Sequence, residues 1–124
     1  MTTPRTRLGN LGERHARVLL EQTGMTFVEA NWRSASGEID LIMRDNEFVV
    51  MVEVKVRRGE SSGSAEEAIS AAKGRRLLAT GEWYMADHLA LSDVPWRIDL
   101  VAITIDSSGR VIRQTHVRDA VVTG

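Results

Sequence analysis

Three acidic side chains and one lysine on two neighbouring predicted strands have the chemistry to hold a divalent cation. Glu38 and Asp40 lie in one short apolar segment, and Glu53 and Lys55 lie in the next. Side chains alternate between the faces of a strand, so each pair shares one face. The apolar side chains of the first strand then share the opposite face: Ile39, Leu41 and Met43. Carboxylate oxygens are the ligands that Mg²⁺ and Mn²⁺ prefer, so the spacing predicts a cation site beside a lysine.

The turn between these strands decides whether the acidic side chains can meet. If Asp45-Asn46 is the two-residue turn of a hairpin, Asp40 lies opposite Met51. Asp40 and Glu53 are then diagonal neighbours on one face, with α-carbons about 7–8 Å apart. A turn longer or shorter by one residue would put the two carboxylates on opposite faces.

The charge of this cluster is costly for folding alone. Two carboxylates about 6 Å apart repel each other by roughly 2–3 kcal/mol at an effective dielectric constant near 20. Lys55 compensates only one of the three acids, and a bound cation would compensate the others. A solvated sheet face with a local Glu53–Lys55 ion pair explains the same pattern, and charge spacing alone does not separate the two interpretations.

Glu13 is a candidate fourth acid. It lies on the apolar stripe of a helix predicted over residues 10–23, in line with Ala16 and Leu20, and so faces the core. Asn10-x-x-Glu13 also has the form of a capping box, in which Glu13 would accept a hydrogen bond from the Asn10 backbone. From the residues alone, the cap is the favoured interpretation.

The remaining pattern predicts a sheet with helical cover. Strands are expected over 26–32, 38–43, 48–56, 96–105 and 110–117. A second helix is expected to open at the capping box Ser64-x-x-Glu67 and to run to about His88. The order αβββαββ, with helices on the sheet, indicates an α/β or α+β protein.

The composition indicates the class of protein and its expected location, but it says little about the activity. The chain has 124 residues, 43% of them hydrophobic and 27% charged, as in a single ordinary globular domain. It has no cysteine, no signal-peptide pattern and no apolar run that approaches a membrane span, so a cytoplasmic location without membrane attachment is expected. The net charge is only −1, but fourteen of the sixteen cations are arginine, which suits phosphate. Asp99 interrupts an apolar strand and is interpreted as structural or as an outer partner of the site.

The spaced motifs resemble a known group of proteins. Gly37-Glu38-Ile39-Asp40, followed after twelve residues by Glu53-Val54-Lys55, resembles the core motif of the PD-(D/E)XK nuclease superfamily. The wider set resembles the bacterial YraN family, which is similar in fold to archaeal Holliday junction resolvases. That set is Gly9-x-x-Gly12-Glu13-x-x-Ala16, Asn31-x-Arg33, Glu53-Val54-Lys55-x-Arg57, Lys73 and Arg97-x-Asp99.

The resemblance implies a restriction-endonuclease-like fold, in which a mixed sheet is flanked by helices, and one nuclease-like domain over residues 1–124. It implies that Asp40 and Glu53 ligate Mg²⁺ or Mn²⁺, with the carbonyl of Val54 as a further ligand. Lys55 would orient the attacking water, and Glu13 would complete the site, which reverses the preference for a cap.

The resemblance also implies a substrate. Gly37 would give a tight approach into the strand, and four cationic residues would contact nucleic acid: Arg33, Arg57, Lys73 and Arg76. The implied reaction is hydrolysis of phosphodiester bonds in DNA, with branched or repair intermediates suggested by the resolvases. A homodimer, as in resolvases, would widen the DNA footprint. The alternative is a nucleic-acid-binding accessory module that keeps the fold without turnover, which the low net charge favours.

Overall fold

The structure is a computed structural model that describes residues 4–59 and 69–121, with side chains described from residue 9 onward. Its helices are α1 (Pro4–Gln22) and α2 (Ala71–Asp87), followed by a short 3-10 turn at Leu89–Leu91. Its strands are β1 (Thr26–Ser34), β2 (Gly37–Asp45), β3 (Phe48–Arg58), β4 (Trp96–Ile105) and β5 (Val111–Val117). The predicted order αβββαββ is confirmed.

The five strands form one mixed sheet in the order β1-β2-β3-β4-β5. Three neighbouring pairs are antiparallel, and β3 and β4 are parallel. A parallel pair needs a crossover connection, and α2 lies in that connection. The expected α/β fold, a mixed sheet flanked by helices, is therefore confirmed and is consistent with a nuclease-like architecture. No helix in the described part of the chain is long and apolar enough to cross a membrane.

Each helix covers one face of the sheet. On the α1 face, Ala16 and Leu20 pack in a cluster with side chains from the middle strands: Leu41, Met43, Val50, Val52, Val101 and Ile103. On the α2 face, Leu77 and Tyr84 pack in a second cluster with further strand residues: Ile39, Ile42, Val49, Met51 and Ile98. The apolar residues of β3 are therefore buried on both faces, as its run of valines predicts.

The helices are held close to the sheet by glycines. A Cβ at Gly12 of α1 would overlap the side chain of Val56 on β3. A Cβ at Gly81 of α2 would overlap the ring of Trp96 and lie 2.7 Å from Met51 Sδ. Glycine has a low helix propensity, so Gly81 weakens α2, but a residue with a Cβ would not fit so close to Trp96.

The first helix begins earlier than expected. Because α1 starts at Pro4, Asn10 lies inside the helix and is exposed there. The prediction of Asn10 as the helix cap, and with it the capping role of Glu13, is therefore wrong. Thr3-Pro4 is itself a helix-start signal in the sequence, because threonine is a common N-cap residue and proline is common at the first helical position.

The predicted start of the second helix, at Ser64 and Glu67, lies outside the described residues. Ser70 is not helical, and it caps α2 by accepting a hydrogen bond of 3.1 Å from the Lys73 backbone N–H. The helix ends at Asp87, close to the predicted end. Strand limits agree to within two residues, and β4 has the predicted limits.

The β2–β3 turn is displaced by one residue from its predicted place. Asp45 pairs with Phe48, so the turn consists of Asn46 and Glu47, and the prediction of Asp45-Asn46 is wrong. Asn46 has φ 55°, a left-handed conformation that asparagine tolerates better than most residues. Moving the turn by one residue changes the pairing register by two. An even shift in register does not by itself move any side chain to the opposite face.

Candidate active site

The observed register brings Asp40 and Glu53 closer than the predicted one. The described pairing of β2 and β3 ends at Leu41 and Val52. Continuing it by one residue sets Asp40 opposite Glu53, where the prediction had the two acids diagonal. Beyond that point Asp40 itself links the strands, because its Oδ2 accepts a hydrogen bond of 2.8 Å from the Val54 N–H.

A change of face in β2 occurs at Asp40. Ile39 packs on the α2 side of the sheet, whereas Leu41 packs on the α1 side, although strict alternation predicts one face for both. The prediction is therefore wrong for Ile39. On β1, the residue that the register sets beside Asp40 is Asn31, which has φ 55°. Both strands thus depart from regular geometry at the acidic pair, and irregular strand positions often re-aim side chains near active sites.

The environment of Asp40 favours its neutral form. Burial is the largest cause that raises the pKa of Asp40, and a hydrogen bond with Glu53 and the charge of Glu53 add to it. The charge of Glu13 acts in the same direction, while the Val54 N–H lowers the pKa. The resulting pKa is about 8, so at neutral pH Asp40 mostly carries a proton when no cation is bound. A shifted carboxyl pair of this kind is typical of functional sites.

Glu53 is paired with an unexpected lysine. Its carboxylate is buried, and Lys73 Nζ of α2 lies 3.0 Å from Glu53 Oε2. The alternative interpretation of the sequence paired Glu53 with Lys55, which lies half-buried two residues further along the same strand. Only the fold brings Lys73 to this position, because twenty residues and a crossover separate the two partners in the chain.

Glu13 reaches the same region from α1. Asn31 Nδ2 of β1 donates hydrogen bonds of 3.0 and 3.2 Å to the two carboxylate oxygens of Glu13. Burial and the charge of Glu38 raise the pKa of Glu13, against the effect of the Asn31 hydrogen bond. Because the charge of Glu13 also acts on Asp40, the helix acid belongs to the electrostatic environment of the acidic pair.

Gly37 opens β2 directly against α2. It has φ 148°, and a Cβ added there would lie 3.2 Å from Thr80 Oγ1. The Thr80 hydroxyl is buried and donates a hydrogen bond of 2.7 Å to the Arg76 carbonyl. Glycine therefore allows the β1–β2 turn to lie close to α2.

The four cationic residues implied to contact nucleic acid occupy different environments. Arg33 is exposed and lies 3.7 Å from Glu38. Arg57 has a buried Nε without a hydrogen-bond acceptor among the described residues. Lys73 and Arg76 line a small cleft of about 70 Å³ between the β1–β2 turn and α2. Lys73 alone is in direct contact with the acidic pair.

A larger groove was not found by sequence reasoning. It has a volume of about 410 Å³, lies between α1 and β1, and is bordered at one place by Glu13. Arg17 forms part of its wall, with its guanidinium 3.7 Å from the centroid of the Phe27 ring. The exposed side chain of Arg14 also lines it. The arginines of the first helix, Arg14 and Arg17 among them, are the sequence signal of this surface.

The acidic pair fits a hard divalent cation only in part. Within residues 4–59 and 69–121, no three His, Asp or Glu side chains lie close enough together to hold a metal ion by themselves. Asp40 and Glu53 supply two carboxylates. Mg²⁺ commonly binds one or two carboxylates, keeps several waters and takes the remaining oxygens from a substrate phosphate. The donor set fits that mode, and it does not fit a closed structural metal site.

Asp99 serves the fold. It is fully buried and accepts hydrogen bonds from Arg97, from His116 Nε2 at 2.7 Å and from the Asp119 N–H at 2.9 Å. Arg97 also contacts Asp45 at 2.9 Å, so the network joins β2, β4 and β5. Burial raises the pKa of Asp99, but these hydrogen bonds outweigh burial and lower it. Of the two interpretations of Asp99, the structural one therefore holds.

Comparisons with known proteins agree on one family. A family model described as "Uncharacterised protein family UPF0102" matches residues 12–103. A UPF0102 protein of Roseiflexus castenholzii is 41% identical over 121 residues, which cover 98% of each chain. One of Chloroflexus aurantiacus is 40% identical over the same share of both chains. One of Shewanella baltica is 46% identical over 99 residues, or 80% of this chain and 90% of the relative.

Proposed function

Because this chain belongs to the uncharacterised protein family UPF0102, we propose a function from its own site: cation-dependent hydrolysis of phosphodiester bonds in DNA. Membership confirms the predicted YraN-like family, and the family description names no activity. One observation carries the proposal. Asp40 and Glu53 interact directly just beyond Leu41 and Val52, where the pairing of β2 and β3 ends, and burial together with Glu53 raises the pKa of Asp40 to about 8.

The carboxylates would hold Mg²⁺ or Mn²⁺, with the carbonyl of Val54, the residue after Glu53, as a further ligand. Without a cation, a proton on Asp40 and the ammonium of Lys73 on Glu53 provide the positive charge that this pair requires. A cation bound there supplies a Lewis acid for the phosphoryl oxygen and lowers the pKa of a bound water. The pair costs stability in the free protein, and such a cost is typical of sites maintained for function.

Lys55 and Glu13 complete the proposed machinery. Lys55 follows Glu53 by two residues on the same face of β3, about 6.6 Å further along the strand. Its ammonium would lie beside the phosphate that the carboxylates position and would stabilise negative charge in the transition state. Glu13 approaches from α1, where Asn31 fixes the orientation of its carboxylate. It would hold a water or an outer ligand of the cation.

Phosphate binding rests on local positive charge. Lys73 and Arg76 border the cleft beside Gly37, Arg33 is exposed at the end of β1, and Arg57 follows Lys55 on the same face. These four residues would contact the DNA backbone, whose charge dominates affinity. Branched DNA is the substrate class that the likeness to resolvases suggests, and a homodimer would extend this footprint.

A second candidate function is nucleic-acid binding without turnover. Two observations favour it. Lys73 forms an ion pair with Glu53, and in the described part of the chain no third carboxylate lies close enough to hold a metal ion with Asp40 and Glu53. The two candidates differ in one respect: an accessory module would bind DNA with or without the acidic pair.

The test is a cleavage assay on branched, flapped and linear DNA with Mg²⁺ or Mn²⁺. We expect cleavage by the wild type and a loss of about a hundredfold or more in Asp40→Asn, Glu53→Gln and Lys55→Ala. Glu47→Gln is the matched control, since it removes an exposed acid from the same hairpin. Cleavage that survives all three substitutions would refute the site. Binding without cleavage in the wild type would support the accessory module.

A further inference from the structure

Lys73 combines a fixed backbone with a mobile charge. Its backbone N–H donates to the Ser70 side chain in the cap of α2, which holds the first turn of the helix in place. Its side chain is 41% exposed, and the Glu53 side chain that it reaches is 11% exposed. A lysine side chain has four rotatable methylenes, so the ammonium can move by several ångströms while the helix stays where it is.

The Lys73 ammonium competes with a divalent cation for the Glu53 carboxylate. Lys73 Nζ lies 3.0 Å from Glu53 Oε2, on one of the two carboxylates that a divalent ion would need. A divalent cation and an ammonium within about 4 Å of each other repel strongly in a partly buried site. Because water reaches the Lys73 side of the ion pair, the Lys73–Glu53 contact itself is weak enough to be exchanged.

A second place for the ammonium lies next to the first. The cleft of about 70 Å³ between α2 and the β1–β2 turn is lined by both Lys73 and Arg76. These residues are three positions apart on α2 and so share one side of the helix. Ser36 and Gly37 form the opposite wall of the cleft. Glu38 also lines the cleft, so two cations stand against one carboxylate, and the net positive charge makes this a setting for an anionic oxygen, such as that of a DNA phosphate.

Resting on the proposed function, we propose that Lys73 is an exchange residue that couples cation binding to DNA binding. In the free protein its ammonium neutralises Glu53. When a divalent cation takes over Glu53, the ammonium turns to the cleft and, with Arg76, binds a DNA phosphate. Cation and phosphate therefore strengthen each other's binding, and the effect must be equal in both directions. Lys73 is in this sense a positioning residue, distinct from Lys55.

The first experiment measures Mn²⁺ binding by calorimetry without DNA. Lys73→Met removes the competing ammonium, and we expect it to bind Mn²⁺ roughly three- to tenfold more tightly than the wild type. Lys73→Arg keeps the charge and should stay within about twofold of the wild type. Arg75→Met is the matched control, an exposed cation two positions away on the same helix, and should also leave the affinity unchanged.

The second experiment measures the affinity for a four-way junction with phosphorothioate linkages, which resist hydrolysis, with and without Mn²⁺. Mn²⁺ should strengthen junction binding in the wild type, and this factor should fall at least threefold in Lys73→Met. A purely structural lysine would not change that factor.

The outcomes separate the two proposals. If Lys73→Met binds Mn²⁺ no more tightly than the wild type, or if the coupling factor is unchanged, the exchange is refuted while the cation site stands. If wild type and Glu53→Gln both fail to bind millimolar Mn²⁺, the proposed function is refuted together with the exchange.

Discussion

Replacing Asp40 by asparagine should stabilise the protein when no cation is present. Asparagine keeps an oxygen that can accept the hydrogen bond from the Val54 N–H. It cannot ionise, so it removes the cost of a carboxylate placed in a partly buried position opposite Glu53. Most substitutions at a buried polar position destabilise a protein. A gain in stability at this position would therefore identify Asp40 as a residue kept for a ligand.

The magnitude follows from the pKa of Asp40. It is about 8 in the folded protein, against about 3.9 in an unfolded chain. Between these values the folded state binds one more proton than the unfolded state, so stability falls as pH rises. From the unfolded-chain pKa to pH 7 is about three pH units, and at 1.36 kcal/mol per unit the folded protein loses about 4 kcal/mol of stability over this range. Partial exposure of Asp40 weakens the effect, and we expect about 2 kcal/mol.

The assay is thermal unfolding in a chelating buffer at several values between pH 5 and pH 9. Asp40→Asn should exceed the wild type in Tm by about 5–10 °C at pH 7 for a domain of this size. The difference should be small at pH 5, grow to about pH 8 and then stay constant. Glu47→Gln should follow the wild type at every pH. An Asp40→Asn variant that is less stable than the wild type, or a difference independent of pH, would refute the reasoning.

Three further results are expected. Mn²⁺ affinity should rise about tenfold per pH unit between pH 6 and pH 8, because the ion displaces the proton of Asp40. Calorimetry on the wild type measures this rise. Glu53→Gln lacks one ligand and should bind Mn²⁺ weakly at every pH. Gly12→Ala should lower the free energy of unfolding by about 1–3 kcal/mol in a urea titration, since the added methyl overlaps Val56; an unchanged midpoint would contradict the close approach. Asp99→Asn should cost about 3 kcal/mol at pH 7, because it leaves Arg97 without its buried partner. Since hydrogen bonds lower the pKa of Asp99 in the folded protein, this loss should shrink as pH falls below about 4, where Asp99 takes up a proton in the unfolded chain but not yet in the folded protein.

The acidic pair could be predicted because its physics is local. Alternation along two strands joined by a short turn puts Asp40 and Glu53 on one face for any even error in register. The actual error in register was two residues, since the turn consists of Asn46 and Glu47 and the prediction placed it at Asp45 and Asn46. That difference decided whether the carboxylates are diagonal or directly opposed.

Other features depend on contacts that no local pattern contains. Lys73 pairs with Glu53 only because the β3–β4 crossover returns α2 over the sheet. Ile39 lies on the α2 face although strict alternation from Leu41 predicts the α1 face, and no local sequence pattern marks this change. The helix start at Pro4 differs from the prediction because two start signals compete, Asn10 and the earlier pair Thr3-Pro4, and local preference alone does not choose between them.

The irregularities of β1 also affect how the protein behaves in concentrated solution. β1 is an edge strand, and a straight edge offers its free N–H and C=O groups to any other extended chain. A bulge at Val28 and the left-handed Asn31 interrupt that row twice within one strand. A strand of a second molecule could therefore form regular hydrogen bonds with β1 over only a few residues. The irregular backbone of β1 therefore also reduces the tendency of this edge strand to aggregate.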